Sequence, residues 1–148
     1  CFPKDLFAFL RMSEKLGHRF NLLQEVITIN DDQKKYFVKK IETRLWNLKN
    51  KTLAVLGVAF KPDTDDIRQA PAIQIIQSLQ NQGAKIQAYD PQAVSNAKKF
   101  LQHVVFCSNP YLACKNADAV ILLTEWPEFL HLDFDFLNAM ITMLNQLI

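Results

Sequence analysis

The sequence predicts an α/β fold, a long connecting α-helix followed by a Rossmann-like, doubly wound parallel sheet. Three observations carry this expectation. Residues 21–48 contain neither glycine nor proline and repeat apolar residues at mostly three- and four-residue steps. Beyond Lys51, short apolar runs alternate with helical patterns, the order that builds a parallel sheet. The first of those runs, Thr52–Leu56, is almost continuously apolar and ends at Gly57, as a strand covered on both faces does.

The elements follow in order. From Pro3 to about Leu16, the residues Leu6, Phe7, Phe9, Leu10 and Leu16 mark an amphipathic helix. Pro3 suits its first turn, where a missing N–H breaks no intrahelical bond, and Gly17 supplies a stop. The next helix is expected over Asn21–Leu48, with Leu22, Val26, Ile29, Phe37, Ile41, Leu45 and Leu48 as its main row. At 1.5 Å per residue it is roughly 40 Å long, which suits a connector between domains or the core of a dimer. Leu23, Ile27 and Val38 widen the stripe, and one small α/β domain is not expected to cover it all, so self-association is expected here. The cations of its second half and just beyond, Lys34, Lys35, Lys39, Lys40, Arg44, Lys49 and Lys51, read as a solvated face complementing the helix dipole rather than as a phosphate-binding stripe. After the strand at Thr52–Leu56, a helix is expected at about Ala70–Gln82 with Gly83 as its stop, then a strand at Lys85–Tyr89. Asp90-Pro91 reads as a turn. A helix at about Ala93–Gln102, a strand at Val104–Cys107, a helix at Pro110–Lys115, a strand at Ala119–Leu123 and a helix at about Phe134–Gln146 complete the pattern. The domain boundary falls near Asn50, giving a helical segment over 1–50 and the α/β domain over 51–148.

Composition bounds the function. With 148 residues, 49% hydrophobic and 22% charged, the chain can build one substantial core, or one domain plus an appendage. A net charge of +2 gives no electrostatic reason to expect nucleic acid or an anionic membrane as partner. No apolar run is long enough to cross a bilayer. Three widely spaced cysteines without a CxxC pair point to a reducing, cytoplasmic setting, with neither a disulfide framework nor a zinc knuckle. Cys107 and Cys114 read as small buried hydrophobes, and His18, His103 and His131 lack ligand spacing, so no metal is expected.

Two stretches invite chemistry. The chain opens CFPKD, with no initiator methionine and no secretory-signal pattern. A thiol at a helix entrance beside Lys4 and Asp5 suits a nucleophile, and a cysteine in first place also suits a cut in a longer protein; the two accounts are compatible. Taken alone, Lys4 and Asp5 would read as a capping pair on a first helical turn. The second stretch follows the first strand: Gly57-Val-Ala-Phe-Lys-Pro-Asp-Thr-Asp-Asp-Ile-Arg-Gln-Ala-Pro71. A single glycine and about a dozen residues before the helix argue against a backbone cradle for a pyrophosphate. The loop offers side chains instead: Phe60 to pack or stack, Lys61 for a phosphate or hydroxyl, and Arg68 for a bidentate anion contact. Asp63, Asp65 and Asp66 are expected to pair with those cations. A self-paired surface loop remains the alternative, but length at the binding edge of a sheet favours function.

CFPKD, GVAFKPDTDDIRQAP, YDP and TEW, in that order, resemble the UDP-glucose 6-dehydrogenase branch of the UDP-glucose/GDP-mannose dehydrogenase family. The resemblance covers nearly the whole chain. It implies a central helical segment followed by a UDP-binding domain truncated at its C-terminus, in a longer protein whose NAD-binding domain precedes Cys1. The implied reaction oxidises UDP-glucose to UDP-glucuronate with two NAD. Cys1 is then the nucleophile that carries thiohemiacetal and thioester, Asp5 assists proton transfer or orients water, and Lys4 stands near cofactor and sugar. Phe60 and Lys61 match contacts to the UDP-sugar substrate, and Arg68 matches an arginine reaching to the NAD side. Thr124, Glu125 and Trp126 follow the last clear strand at the ligand edge, although packing accounts equally well for Trp126. The resemblance also implies a homodimer paired through the central helices, and the fragment alone is expected to be inactive. Alternatives are a family dehydrogenase acting on GDP-mannose or a UDP-N-acetylhexosamine, and a non-catalytic nucleotide-binding or dimerisation module.

Overall fold

The computed structural model describes residues 2–133, 135 and 137. Two helices lead, α1 (Phe2–Lys15) and α2 (Asn21–Leu45). The α/β part follows as β1 (Thr52–Leu56), α3 (Pro71–Asn81), β2 (Lys85–Tyr89), α4 (Val94–Ala97), β3 (Val104–Phe106), α5 (Pro110–Cys114) and β4 (Ala119–Leu122), then a 3-10 helix at Pro127–His131. The helix expected at Phe134–Gln146 lies outside the described residues apart from 135 and 137. Cys1 also lies outside them.

The four strands among the described residues are all parallel, in the order β3-β2-β1-β4. From β1 the chain steps outward to β2 and β3, then returns to the far side of β1 to lay down β4. Right-handed crossovers therefore put α3 and α4 on one face of the sheet and α5 on the other, the doubly wound arrangement expected. The central strand is the most deeply buried: Leu53, Ala54, Val55 and Leu56 are all enclosed, with Ile76 and Leu79 of α3 and Val120 and Ile121 of β4 in the same core.

The long helix ends at Leu45, three residues before the expected stop. Trp46 takes φ 62°, outside the helical region, while its N–H still donates to the Glu42 carbonyl at 2.7 Å. The exit lets Leu48 turn inward, where it is 3% exposed in the core. The strand junction is then fixed by Asp118, which pairs with Lys51 at 2.9 Å and accepts from the Thr52 N–H at 2.8 Å. Of the apolar row on α2, Val38 and Ile41 join the core, whereas Leu22, Val26 and Ile29 stay exposed. The cations are mostly on an outer face as expected. Lys34 departs from this, pairing with Asp31 at 2.6 Å and donating to Gln74 Oε1 of α3 at 2.6 Å.

The helix expected over Ala93–Gln102 shrinks to α4 and a following turn. Side chains of α3 instead hold the segment that follows this turn. Gln80 Nε2 donates to the Gln102 carbonyl at 2.8 Å and Gln77 Nε2 to that of Phe100 at 3.5 Å, while His103 sits at φ 58°.

Gly57 ends β1 with φ 88°, and a Cβ there would lie 2.5 Å from Thr124 Cβ and 2.6 Å from its backbone nitrogen. The carboxyl ends of β1 and β4 can approach this closely only with glycine at that position. Gly57→Ala should therefore destabilise the fold by about 2 kcal/mol or more, through both strain and clash. Thermal unfolding checks this, and a midpoint unchanged within a degree would contradict it.

Candidate functional site

In an open parallel sheet, ligands meet the carboxyl edge where the strand order reverses, because the two flanking loops diverge there and leave a crevice. In this chain that point lies between β1 and β4. The loop after β1 and the Leu123–Trp126 segment after β4 enclose a cleft of about 430 Å³, lined by Phe60, Lys61, Pro62 and the residues from Leu122 to Glu125. The sheet ladder carries both segments to the rim: Gly57 N–H donates to the Tyr89 carbonyl at 2.8 Å, and Leu123 N–H to that of Leu56 at 2.9 Å.

The backbone behind the cleft is held by one buried carboxylate. Asp90, just past β2 and 2% exposed, accepts from Val58 N–H at 2.7 Å, Ala59 N–H at 2.9 Å and the Trp126 indole Nε1–H at 3.1 Å, all through Oδ2. Its Oδ1 accepts from Gln92 N–H at 3.0 Å and Ala93 N–H at 2.7 Å, which is the turn expected at Asp90-Pro91. Thr124, 4% exposed, donates through Oγ1 to the Ala59 carbonyl at 2.6 Å. Trp126 is accordingly a buried packing residue with its polar edge bonded. The sequence pointed to the turn and missed the hub. The usable signal was an acid directly after the strand that pairs with β1, one place beyond the Leu56–Tyr89 register.

The loop itself is folded back on its own backbone, with Phe60 N–H donating to the Asp66 carbonyl at 2.8 Å. The expected pairing of its acids with its cations holds for one pair. Arg68 grips Asp66 through Nε and Nη2, the latter at 2.8 Å, and adds its backbone N–H at 2.8 Å. Asp65 instead accepts from Asn96 Nδ2 at 3.0 Å, tying the loop to α4. Among the described residues no carboxylate pairs with Lys61, which is exposed at the cleft. Arg68 is exposed and lines neither this cleft nor the next.

Phe60 also lines a second cleft, of about 560 Å³, together with Leu6 and Phe7 of α1, Val26, Ile27 and Lys34 of α2, and Gln69. The start of α1 and the loop after β1 thus face one another. Lys4 and Asp5 are exposed in the first turn of α1, next in sequence to the residues lining that cleft. A larger groove, about 770 Å³, opens beside α3 and β3, where Gln77 and Gln80 already spend their amides on backbone carbonyls.

These groups define what the site can do. Phe60 presents a ring at 39% exposure, and Lys61 an ammonium with no carboxylate partner among the described residues. A dinucleotide cofactor does not fit here. The first two amides after Gly57, which would cradle its pyrophosphate, are consumed by Asp90. Burial pushes the Cys114 thiol up to about 12 and that of Cys107 upward, so neither described cysteine has thiolate character.

Hydrogen bonds from Arg68, first those of its guanidinium and then that of its backbone N–H, hold the Asp66 carboxyl down to about 2. Any support this carboxylate gives the loop is present above the ordinary carboxylate range and lost as pH falls towards 2. Carboxyl-resolved NMR titration should find Asp66 titrating near 2 in the wild type and higher in Arg68→Ala, short of the free value because the backbone N–H of residue 68 still donates. An unchanged titration in that variant would break the link.

A domain model described as the UDP-glucose/GDP-mannose dehydrogenase family, UDP binding domain, matches residues 54–148. The chain is 43% identical over 129 residues to the UDP-glucose 6-dehydrogenase TuaD of Bacillus subtilis, covering 86% of this chain and 28% of that relative. It is 37% identical over 140 residues to the UDP-glucose 6-dehydrogenase of Rhizobium meliloti, covering 94% of this chain and 32% of the relative. A solved UDP-glucose dehydrogenase from the hyperthermophilic archaeon Pyrobaculum islandicum superposes with a TM-score of 0.86 at 35% identity, over 90% of this chain and 31% of that one. The chain thus spans less than a third of the length of the relatives it matches. With the fold, the crevice and the sequence in agreement, this chain belongs to the UDP-glucose/GDP-mannose dehydrogenase family and carries its UDP-binding domain.

Proposed function

We propose that this chain is the C-terminal portion of an NAD-dependent UDP-glucose 6-dehydrogenase and supplies the binding site for the UDP part of the substrate. One observation carries the reading: the cleft at the β1/β4 switch point offers side chains, Phe60 and Lys61, while the backbone amides behind it are already bonded to Asp90. Such a site suits a nucleotide diphosphate held by a cation and an aromatic ring, and does not suit a dinucleotide. Phe60 and Lys61 are the substrate contacts. Arg68, held in plane by Asp66, faces outward as an anion-binding fork towards the NAD side.

Oxidation of UDP-glucose to UDP-glucuronate belongs to the longer protein, with NAD held by residues outside this chain. There Cys1 is the thiol that carries the substrate carbon, with Asp5 and Lys4 beside it in the first turn of α1. Facing α1 and Phe60 across one cleft supports that division of labour. UDP-glucose is favoured over other nucleotide sugars because relatives named for it reach 44% identity. Residues 1–50 form the central helical segment and 51–148 the nucleotide-binding domain.

The helical segment is also proposed as the homodimer interface. Phe7, Phe9, Met12, Leu16, Leu22, Val26 and Ile29 are large apolar residues left exposed on α1 and α2. Sedimentation should give a dimer for the wild type and a monomer for Leu22→Glu/Ile29→Glu. A wild-type monomer at high concentration would sink this interface.

For the site, calorimetry of the purified chain should detect UDP-glucose binding and none of NAD. Lys61→Ala should weaken the UDP-glucose signal about tenfold or more, the loss of one charge-assisted contact. No dehydrogenase activity is expected from this chain alone. Tight NAD binding, or full affinity for UDP-glucose in the Lys61 variant, would refute the assignment.

A further inference from the structure

The hydrogen bonds behind the crevice form a closed ring. Asp90 accepts from the Ala59 N–H, the Ala59 carbonyl accepts from Thr124 Oγ1, and Trp126, two residues beyond Thr124, returns to Asp90 through its indole N–H. Both sides of the Ala59 residue are thereby fixed: its N–H to the end of β2, its C=O to the segment after β4. All three side chains in the ring are at least 96% buried. Phe60 and Lys61 leave the ring immediately after Ala59. Glu125, which is exposed at the cleft, lies between two inward-held neighbours.

We propose that Asp90 is the positioning residue of the nucleotide site, acting through Ala59 and Trp126 to fix the direction in which Phe60, Lys61 and Glu125 meet the ligand. The inference rests on the nucleotide-binding reading of the cleft. Asp90 does not itself face the ligand, since its Oδ2 is occupied by three donors and its Oδ1 by two. Its effect is to make the loop rigid before binding. A preorganised loop surrenders less freedom when the ligand arrives, so affinity depends on a carboxylate that never touches it. The indole N–H is the ring donor that links the segment after β4 to Asp90, and Trp126→Phe deletes it at the cost of a smaller buried ring, so the control must also be a core truncation.

The test compares Trp126→Phe with Ile76→Val, a core truncation in α3 that removes no hydrogen bond of the ring. Hydrogen exchange of the Phe60 amide, which donates to the Asp66 carbonyl, reports loop order without any ligand. Its protection should fall about tenfold in Trp126→Phe relative to Ile76→Val when both are measured well below their unfolding midpoints. UDP affinity by calorimetry should fall about five- to tenfold in Trp126→Phe and stay within twofold in Ile76→Val. Asp90→Asn should lose more on both counts, because one amide face presents donors to donors; should it fail to fold, the Trp126 variant still decides. In the wild type, UDP should shift the Trp126 indole resonance although the ring is buried. Equal Phe60 protection in the two variants would overturn the positioning role whether or not UDP binds. Failure of wild-type UDP binding, with the difference in Phe60 protection intact, would instead remove the nucleotide reading and leave the brace standing.

Discussion

Five N–H groups from three stretches of chain converge on the carboxylate of Asp90, more donors than its roughly four lone-pair sites. A carboxylate taken this far from water is costly unless its hydrogen bonds are replaced, and the replacements here come from the ends of β1, β2 and β4 together. The arrangement is therefore self-reinforcing. Without Asp90 the amides of Val58 and Ala59 would be buried donors without an acceptor, each a penalty of about 1–3 kcal/mol. Without those amides Asp90 could not stay buried. Gly57 belongs to the same constraint, because only a residue without Cβ lets the β4 end come close enough for Thr124 to reach the Ala59 carbonyl.

The same constraint decides how the site must work. In a dinucleotide sheet the amides after β1 point at the ligand, and the acid after β2 meets a ribose. In this chain the two bond to each other. On the proposed reading, recognition passes to side chains at the start of the loop, Phe60 and Lys61. The loop keeps its shape by internal bonds: Phe60 to the Asp66 carbonyl, Arg68 to the Asp66 carboxylate, and Asn96 to Asp65. Tyr89, at the end of β2, has its ring edge-on to Phe129 at 6.1 Å and its hydroxyl pushed up to about 12 by burial and then by Glu128. It remains a neutral phenol and adds no charge to the crevice.

Elements set by local pattern were legible in the sequence. The continuous apolar run of β1 needs no partner to declare itself a buried strand, and the Pro71 start and Gly83 stop bracket α3 almost to the residue. Elements set by distant partners were not. After α4 the chain runs on through a turn into a segment whose carbonyls are held by glutamines of α3, some twenty residues away in sequence, contacts that no local pattern announces. The long helix ends early because Leu48 gains more from the core than from another turn of exposed helix. Phe60, Lys61 and the α1 residues stood out by chemical type at a loop and a helix entrance. Asp90 and Thr124 draw their roles from groups 31 to 65 residues away, and no local spacing encodes that.

The two cations of the loop illustrate how electrostatics divides labour in an exposed site. The Arg68–Asp66 pair is short and multiply bonded, yet Arg68 is 86% exposed, so solvent screening leaves it little weight in overall stability. Its effect is on orientation: two nitrogens fixed on one carboxylate hold the plane of the guanidinium. Lys61 carries a compact charge on a flexible stem and has no acid partner among the described residues. An ammonium already paired would have to give up its carboxylate to take a phosphate, losing as much as it gained. Leaving Lys61 unpaired while pairing Arg68 thus keeps one strong cation available at the crevice without leaving the loop self-repelling. That balance rests on the backbone beneath it, since a lysine adapts to its ligand only when its own Cα is held, and the residue two places before it is the one clamped between Asp90 and Thr124.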